Sequence, residues 1–399
     1  MTAKTATQPA AAVAPYAWVI LGMVYLASIV ASFNQFKVPP IMPVLRQAFG
    51  LNLTQAGSLM SVVAIMGLLL ALPAGILLQR FGSKAIGLVA LGCMAAGSVS
   101  GALAGSYTAL LGSRVAAGVG IGLIGVVASA TITMWFPPAR QGAPMGIWAT
   151  WVPVGGVLVY NLAPVVAGKW GWQAVWWMGA GAALVVMLLY ALLVRNPAGL
   201  PPARGQNGAS LQVGKALKNR DIWLLALLFA CFSLALVSIG TYYPTFLSEV
   251  RGYPLGQAAF ISSLSSLVVI GSAPLAGWVS DRIGSRRLLF SLPFLGIAVI
   301  LALPFHVTGW QVPVLLIVQG LVVGAIPTAA FAAAPEVMGR PEWAGLGLAV
   351  VLIGQNLGNL VAPVLFGELV SNLGWAAAGY AMIPVALVGF ACGWLVRVR

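Results

Sequence analysis

Residues 277–287 read GWVSDRIGSRR, and residues 75–84 carry a related stretch, GILLQRFGSK, 202 positions earlier. Small and aromatic residues recur at nearly the same offset elsewhere in the chain: Gly118 and Gly122 match Gly320 and Gly324, and Gly171-Trp172 matches Gly374-Trp375. A repeat of this length, with the quoted stretch at the same place in each copy, predicts a protein built from two related halves.

The composition is that of a membrane protein. Hydrophobic residues make up 61% of the 399 positions and charged residues 7%, whereas soluble domains carry about 25% charged residues. An α-helix needs about 20 apolar residues to cross a bilayer. We therefore predict an all-α membrane protein with twelve transmembrane helices in two pseudo-symmetric six-helix halves. The predicted spans, numbered 1 to 12 in chain order, are 16–44, 53–78, 85–105, 107–134, 143–168, 172–194, 222–247, 256–280, 287–305, 311–335, 343–369 and 375–396.

The loops predict how the chain divides and which way it faces. The predicted segments are a disordered cytoplasmic tail (1–15), an N-terminal half (16–194), a Pro- and Gly-rich cytoplasmic linker (195–221) and a C-terminal half (222–399). Fifteen of the 20 Lys and Arg residues fall in loops on one side of the membrane, and three fall on the other. The positive-inside rule places the first group in the cytoplasm. We expect a multi-pass protein of the cytoplasmic (inner) membrane of a prokaryote, with both termini cytoplasmic.

The stretch from Gly277 to Arg287 resembles the cytoplasmic signature of the major facilitator superfamily, which lies between spans 8 and 9. Its copy between spans 2 and 3 has Gln79 where the family has an acid, and the segment that begins at Arg114 resembles the family's second motif. The resemblance implies transport by alternating access, in which the two halves rock about a central site. It also implies a conformational latch, which we assign to Asp281, Arg282, Arg286, Arg287, Gln79, Arg80 and Arg340. We expect a weaker latch at the first copy because Gln79 carries no charge; the alternative is that the arginines only anchor the topology.

Two basic residues lie inside apolar spans, Lys37 in span 1 and Arg114 in span 4. A cation in hydrocarbon costs roughly 2.5–3.5 kcal/mol even on lenient scales, and the first 220 residues contain no Asp or Glu. The candidate partner is then an anion from outside the protein. Both cations lie about 12–13 Å below the outer boundary, at 1.5 Å per residue, so we expect them to share a layer. Two alternatives stay open: Lys37 snorkels to the surface, or Arg114 bonds main-chain carbonyl groups of neighbouring helices.

Polar residues at similar depth complete the predicted site. Asn34 lies one helical turn before Lys37 on the same face, and Gln35 lies half a turn away. Amide and hydroxyl groups can orient a small polar solute without adding charge. The predicted substrate-binding residues are Lys37, Arg114, Asn34, Gln35, Tyr242, Gln355, Asn356 and Trp151. We predict no catalytic residues, no metal site and no cofactor.

These features favour a secondary active or facilitative transporter of a small organic or inorganic anion. We expect a monomer in membrane lipid, with no nucleic-acid partner, and a proton as the possible coupling ion. Two alternatives remain. A multidrug/proton antiporter that exports hydrophobic compounds is expected to show a carboxylate in span 1, and a non-transporting sensor on the same fold is expected to add a soluble domain.

Overall fold

The computed structural model describes residues 14–70, 73–137, 140–195, 217–283, 285–340 and 343–398. Within these ranges the chain is helical and contains no β-strand. Eleven helical stretches are long and apolar enough to cross a membrane: Pro15–Phe49, Leu53–Leu70, Arg80–Ala102, Tyr107–Trp135, Gly142–Trp170, Trp172–Leu193, Arg220–Val250, Leu255–Val279, Gln311–Met338, Gly345–Leu373 and Trp375–Leu395. A further helix, Arg286–Leu301, stands at the place of span 9, and we keep the numbers 1 to 12. Most of the predicted tail and linker lies outside the described residues.

Span 9 is shorter than the sequence suggested. We predicted 287–305, but the helix has 16 residues and ends at Leu301. Pro304 is three residues further along the chain, and the residue before a proline disfavours helical backbone angles. The chain therefore turns through residues 302–306 where a further helical turn was expected.

The two halves pack by the same scheme. Span 1 packs on span 5, span 2 on span 4 and span 3 on span 6, and the equivalent pairs 7 and 11, 8 and 10, and 9 and 12 also pack. A Cβ atom at Gly118 would lie 3.2 Å from the Cα of Val63 in span 2, and one at Gly320 would lie 2.5 Å from the carbonyl oxygen of Ser265 in span 8. Small residues let helix backbones approach closely, so the repeated glycines hold equivalent helix pairs together.

A repeated glycine also makes the turn before the last span of each half. Gly171 joins spans 5 and 6 with φ 82° and ψ 164°, and Gly374 joins spans 11 and 12 with φ 82° and ψ 170°. Glycine adopts positive φ without the steric penalty of a Cβ atom. The same turn geometry in both halves confirms the pseudo-symmetry that the sequence repeat predicted.

Span 1 is broken near one end of the bundle. Its first helix stops at Phe36, and Lys37 and Val38 separate this helix from the remainder of the span. Proline lacks a backbone N–H, so Pro39 and Pro40 cannot continue the helical hydrogen-bond ladder. The remainder is a 3₁₀ turn, Pro39–Ile41, and a short helix, Met42–Phe49.

The halves meet where span 2 packs on span 11 and span 5 packs on span 8. At the end of the bundle where spans 1 and 7 finish, Arg46 and Glu249 form an ion pair of 2.5 Å between the halves. Nearby, the Thr54 hydroxyl donates a hydrogen bond of 2.9 Å to Glu368. We call this end, with Arg46, Thr54, Glu249 and Glu368, the sealed end, and the end with the two signature stretches the signature end.

Candidate functional site

Arg114 lies inside the N-terminal half and is fully buried. Its Nε donates to the carbonyl oxygen of Leu59 in span 2 at 2.9 Å, and its Nη2 donates to the carbonyl oxygen of Gln35 in span 1 at 2.7 Å. Its Nη1 donates to the carbonyl oxygen of Asn34. The guanidinium therefore joins spans 1, 2 and 4 through main-chain oxygens, which is the structural alternative to solute binding.

The break in span 1 explains why the carbonyl oxygens of Asn34 and Gln35 accept hydrogen bonds from Arg114. The residue four positions after Gln35 is Pro39, which has no N–H to offer the Gln35 carbonyl. The last carbonyl groups of any helix lack partners in their own helix and carry partial negative charge. A buried guanidinium, with five donors in a fixed fork, satisfies several such groups at once. Arg114 therefore supplies the hydrogen-bond donors that the carbonyl groups at the end of the first helix of span 1 lack.

Lys37 occupies the break itself and is also fully buried. Its Nζ donates hydrogen bonds of 3.0 Å each to the Oδ1 of Asn34 and the Oγ of Ser98 in span 3. The ammonium also lies 4.7 Å from the ring centre of Trp176 in span 6, close enough for a cation–π interaction. Lys37 thus points toward spans 3 and 6, away from the other half, and it does not snorkel to a surface.

The two cations converge on Asn34. Arg114 bonds its carbonyl oxygen and Lys37 bonds its side-chain oxygen, which places both cations in one layer, as the depth argument predicted. The first 220 residues contain no acidic residue to neutralise this layer. Ser98 and Trp176 belong to the cluster, but the sequence did not indicate them, because the predicted spans 3 and 6 carry no charged residue.

Gln35 presents its side chain on another face of span 1. At 100° per residue, the side chain lies about 200° around the helix from Lys37, and so faces away from spans 3 and 6. It is partly buried, and among the described residues its amide group makes no hydrogen bond. An amide at membrane depth without a protein partner is available to a solute.

Gln355 in span 11 has the same character. Gly354 packs on Ala226 of span 7, Gly67 of span 2 packs on Asn356, and Leu357 on a third face is 46% exposed. By the 100° rule, Gln355 points opposite to Leu357, into the space between the halves. Within the described part of the chain its side chain makes no hydrogen bond.

The other predicted binding residues have partners. Asn356 donates to the carbonyl oxygen of Leu352 at 3.0 Å. It also contacts Gly67 of span 2, where the two halves meet. Trp151 is partly buried and stacks on Trp148, with 6.2 Å between ring centres. These two residues lie on spans 5 and 11, which border the space between the halves.

Tyr242 lies in the sealed end and is fully buried. Its hydroxyl lies 2.8 Å from the carbonyl oxygen of Leu53 in the N-terminal half and 2.6 Å from that of Pro363 in its own half. A hydroxyl has one proton to donate, so it can serve one of these oxygens at a time. The structure gives Tyr242 a place in the contact between the halves, together with Arg46, Thr54, Glu249 and Glu368, which the sequence analysis did not single out.

The signature end carries arginines that rest on aromatic rings. Arg282 lies 3.8 Å from the ring centre of Trp278, and comparable contacts join Arg80 to Phe81, Arg287 to Trp394 and Arg340 to Trp343. Arg286 forms an ion pair of 2.9 Å with Glu336 inside the C-terminal half. The side chains of Asp281 and Gln79 lie outside the described residues, so the predicted latch between signature copies stays a prediction.

Known proteins that match most of this chain include transporters. A probable sulfoacetate transporter of Cupriavidus necator is 25% identical over 393 residues, which cover 93% of this chain and 91% of that protein. An efflux pump of Mycolicibacterium smegmatis is 24% identical over 96% of this chain and 93% of its own length. A probable nitrate/nitrite antiporter of Thermus thermophilus is 26% identical over 62% of this chain and 57% of that protein.

Solved structures show the same fold. A bacterial homologue of the human lysosomal transporter Spinster, in an inward-facing and unoccupied conformation, superposes with a TM-score of 0.83 at 18% identity, over 96% of this chain and 97% of that chain. The sequence model of the Major Facilitator Superfamily matches residues 24–342 and again residues 256–399. With this match, and with two equivalent halves of membrane-spanning helices in the part of the chain that the structure describes, the chain belongs to the major facilitator superfamily.

Proposed function

We propose that this protein carries a small anion across the membrane, by alternating access. The observation that supports this most is the charge of the N-terminal half, where Lys37 and Arg114 are buried within a sequence of 220 residues that has no acid. Relatives whose names refer to sulfoacetate and to nitrate or nitrite point the same way.

The cations act on the solute through space in this proposal. Both are engaged inside the N-terminal half, so a solute in the space between the halves lies about one helix diameter away, ~10 Å. At that distance and an effective dielectric constant near 20, each positive charge attracts a monovalent anion by roughly 1.7 kcal/mol. A solute cation is repelled by the same amount, which supplies selectivity without direct contact.

Direct contact comes from the amides. In this proposal Gln35 of span 1 and Gln355 of span 11, whose side chains make no hydrogen bond among the described residues, reach the solute from the two halves. Each amide offers two N–H donors, which suit carboxylate, sulfonate or nitrate oxygens. The two residues lie on opposite halves, so one solute can form hydrogen bonds with both only when the halves are close together.

The sealed end faces the outside of the cell in this proposal. The sequence predicts fifteen of the 20 basic residues on the side of the two signature stretches, and the positive-inside rule assigns that side to the cytoplasm. The inward-facing state of the Spinster homologue, whose fold matches, is consistent with a structure closed at the outer end.

Export of hydrophobic compounds is the second candidate. It is favoured by the efflux pump of Mycolicibacterium smegmatis, which matches over almost the whole chain. Against it stands the missing carboxylate, because in described spans 1 to 6 no acid is present to hold a cationic compound. The two candidates therefore differ in the sign of charge that the protein selects.

Transport in proteoliposomes distinguishes the two. Uptake of sulfoacetate and of nitrate is compared with uptake of a cationic dye, in the native protein and in Gln35→Ala and Gln355→Ala. We expect uptake of at least one anion and a loss of about tenfold in each variant, as for the loss of a hydrogen bond to a charged group. The matched control is Gln173→Ala, an exposed amide at the start of span 6. Transport of the dye alone, or full anion uptake in both variants, contradicts the proposal.

A further inference from the structure

An apolar groove opens on the seam between the halves at the sealed end. It has a volume of about 610 Å³ and is formed by spans 2, 4 and 11. Its apolar lining includes Val62, Ile65, Leu111, Val361, Val364 and Leu365. Several of these side chains are exposed on the membrane-facing side, Val361 by 42% and Leu365 by 38%. Because hydrocarbon and not water surrounds this face, the groove admits a lipid chain.

The length of the groove matches one leaflet. Thr54 and Glu368 stand at its upper rim, at the end of spans 2 and 11, and Ile65 marks its lower part. Eleven helical residues separate Thr54 from Ile65, which is about 16 Å at 1.5 Å per residue. Half of a hydrocarbon core is about 15 Å thick. The groove therefore runs from the headgroup level to near the bilayer midplane.

The rim of the groove is acidic. Glu368 is the one charged residue among those that line it, and it is exposed. Its two carboxylate oxygens accept hydrogen bonds of 2.9 Å from Thr54 and Asn372. A carboxylate has about four acceptor positions, so further donors can bind. A primary ammonium group supplies three such donors, a quaternary ammonium supplies none, and an anionic headgroup is repelled.

We propose that this groove binds a phospholipid with a primary ammonium headgroup, its chain between spans 2 and 11 and its ammonium on Glu368. The chemistry is that of phosphatidylethanolamine. Since both halves line the groove, this lipid contacts the two halves together only while the sealed end is closed. Its binding therefore stabilises the sealed conformation, whatever solute the protein carries.

Native mass spectrometry of the full-length protein tests the proposal. The protein is loaded with phosphatidylethanolamine, phosphatidylcholine or phosphatidylglycerol that have identical acyl chains. We expect phosphatidylethanolamine adducts to survive activation about fivefold better than the other two, the scale of one exposed charge pair. Glu368→Gln is expected to abolish this preference, and Val364→Trp, which fills the groove, to reduce binding of all three lipids.

Two control variants separate the headgroup contact from other effects. Thr54→Val breaks the bond between the halves but keeps the carboxylate, so the preference is expected to persist. Glu336→Gln removes an exposed carboxylate at the signature end and is expected to leave the preference among the three lipids unchanged. Thermal unfolding of each variant in phosphatidylcholine shows that it is folded. Equal retention of the three lipids by the native protein, or an unchanged preference in folded Glu368→Gln, overturns the proposal.

Discussion

The two halves pack alike but differ where the cations lie. Arg114 of span 4 corresponds to Leu316 of span 10, and both side chains are buried. The neighbouring span explains the difference. Span 1 has Pro39 and breaks, whereas span 7 has Thr241 at the equivalent position inside a continuous helix, Arg220–Thr245. Thr241 has an N–H for the carbonyl group four residues earlier, so no arginine is needed there.

The break at Pro39 does not explain why a lysine stands at position 37. Its counterpart in span 7 is Ile239, which is buried as well. The side chain of Asn34 already accepts a hydrogen bond of 2.6 Å from Ser98, so this pair does not depend on the ammonium. The comparison teaches that Arg114 serves the fold of span 1, while Lys37 is a charge that packing alone does not require.

The largest effect is expected when Arg114 is replaced by leucine, the residue at the equivalent position of the C-terminal half. Arg114→Leu leaves carbonyl oxygens of Leu59, Asn34 and Gln35 without this donor, and loss of a buried ionic partner costs about 3–5 kcal/mol. We expect a marked fall in the thermal unfolding midpoint of the purified protein. The double variant Arg114→Leu, Pro39→Thr returns an N–H to span 1 and is expected to recover part of the loss. If Arg114→Leu alone is as stable as the native protein, the hydrogen bonds of Arg114 to span 1 do not stabilise the fold.

The sealed end gives a second difference between the halves. Gly57 of span 2 corresponds to Ala259 of span 8, and a Cβ atom at Gly57 would clash with the Tyr242 hydroxyl. Gly57→Ala is therefore expected to keep this end open, at a cost of about 1–3 kcal/mol for the closed state. Spin labels at positions 173 and 311, both exposed at this end, measure the distance between the halves.

A longer mean distance between the two labels is the expected result for Gly57→Ala. The control is Gly22→Ala in span 1, where a Cβ atom would meet nothing within 4 Å. If Gly57→Ala and the control give the same distance distribution, close packing at Gly57 is not the feature that allows the halves to meet.

A smaller effect is expected at Tyr242. Tyr242→Phe removes the hydroxyl near Leu53 and Pro363, which weakens the sealed state by about 1 kcal/mol, or roughly fivefold in population. The same spin labels report this shift. Tyr243→Phe is a matched control because its hydroxyl bonds the carbonyl oxygen of Pro304 within one half. Equal shifts in the two variants would mean that the Tyr242 hydroxyl does not join the halves.

The sequence predicted the fold well because its signals are strong and local. Apolar length predicted the spans, and the repeat that includes Gly171 and Gly374 predicted two related halves, whose matching turns at these glycines the structure shows. The site was harder to predict, because depth along a helix places Lys37 and Arg114 in a layer but does not give the direction in which they point. That direction depends on the break at Pro39 and on the neutral residues Ser98 and Trp176 of neighbouring spans.

The sealed end shows the same limit. Arg46 and Glu249 are separated by 203 positions in the chain, and their ion pair exists only because the halves meet. In the sequence they are two loop charges, typical of span ends. Tyr242 is a polar residue of an apolar span, which suggested solute binding, but the structure places it against main-chain oxygens of both halves.

The most direct test of the account is the affinity for the transported anion in Lys37→Met and Lys37→Arg, measured in proteoliposomes as KM. Met is apolar and one atom shorter than Lys, and it leaves the bond between Asn34 and Ser98 in place, so we expect an unfolding midpoint close to the native one. Loss of one positive charge near the solute is expected to raise KM by roughly tenfold to twentyfold, and Lys37→Arg is expected to keep the native KM within about threefold. An unchanged KM in folded Lys37→Met contradicts the claim that buried positive charge of the N-terminal half attracts the solute.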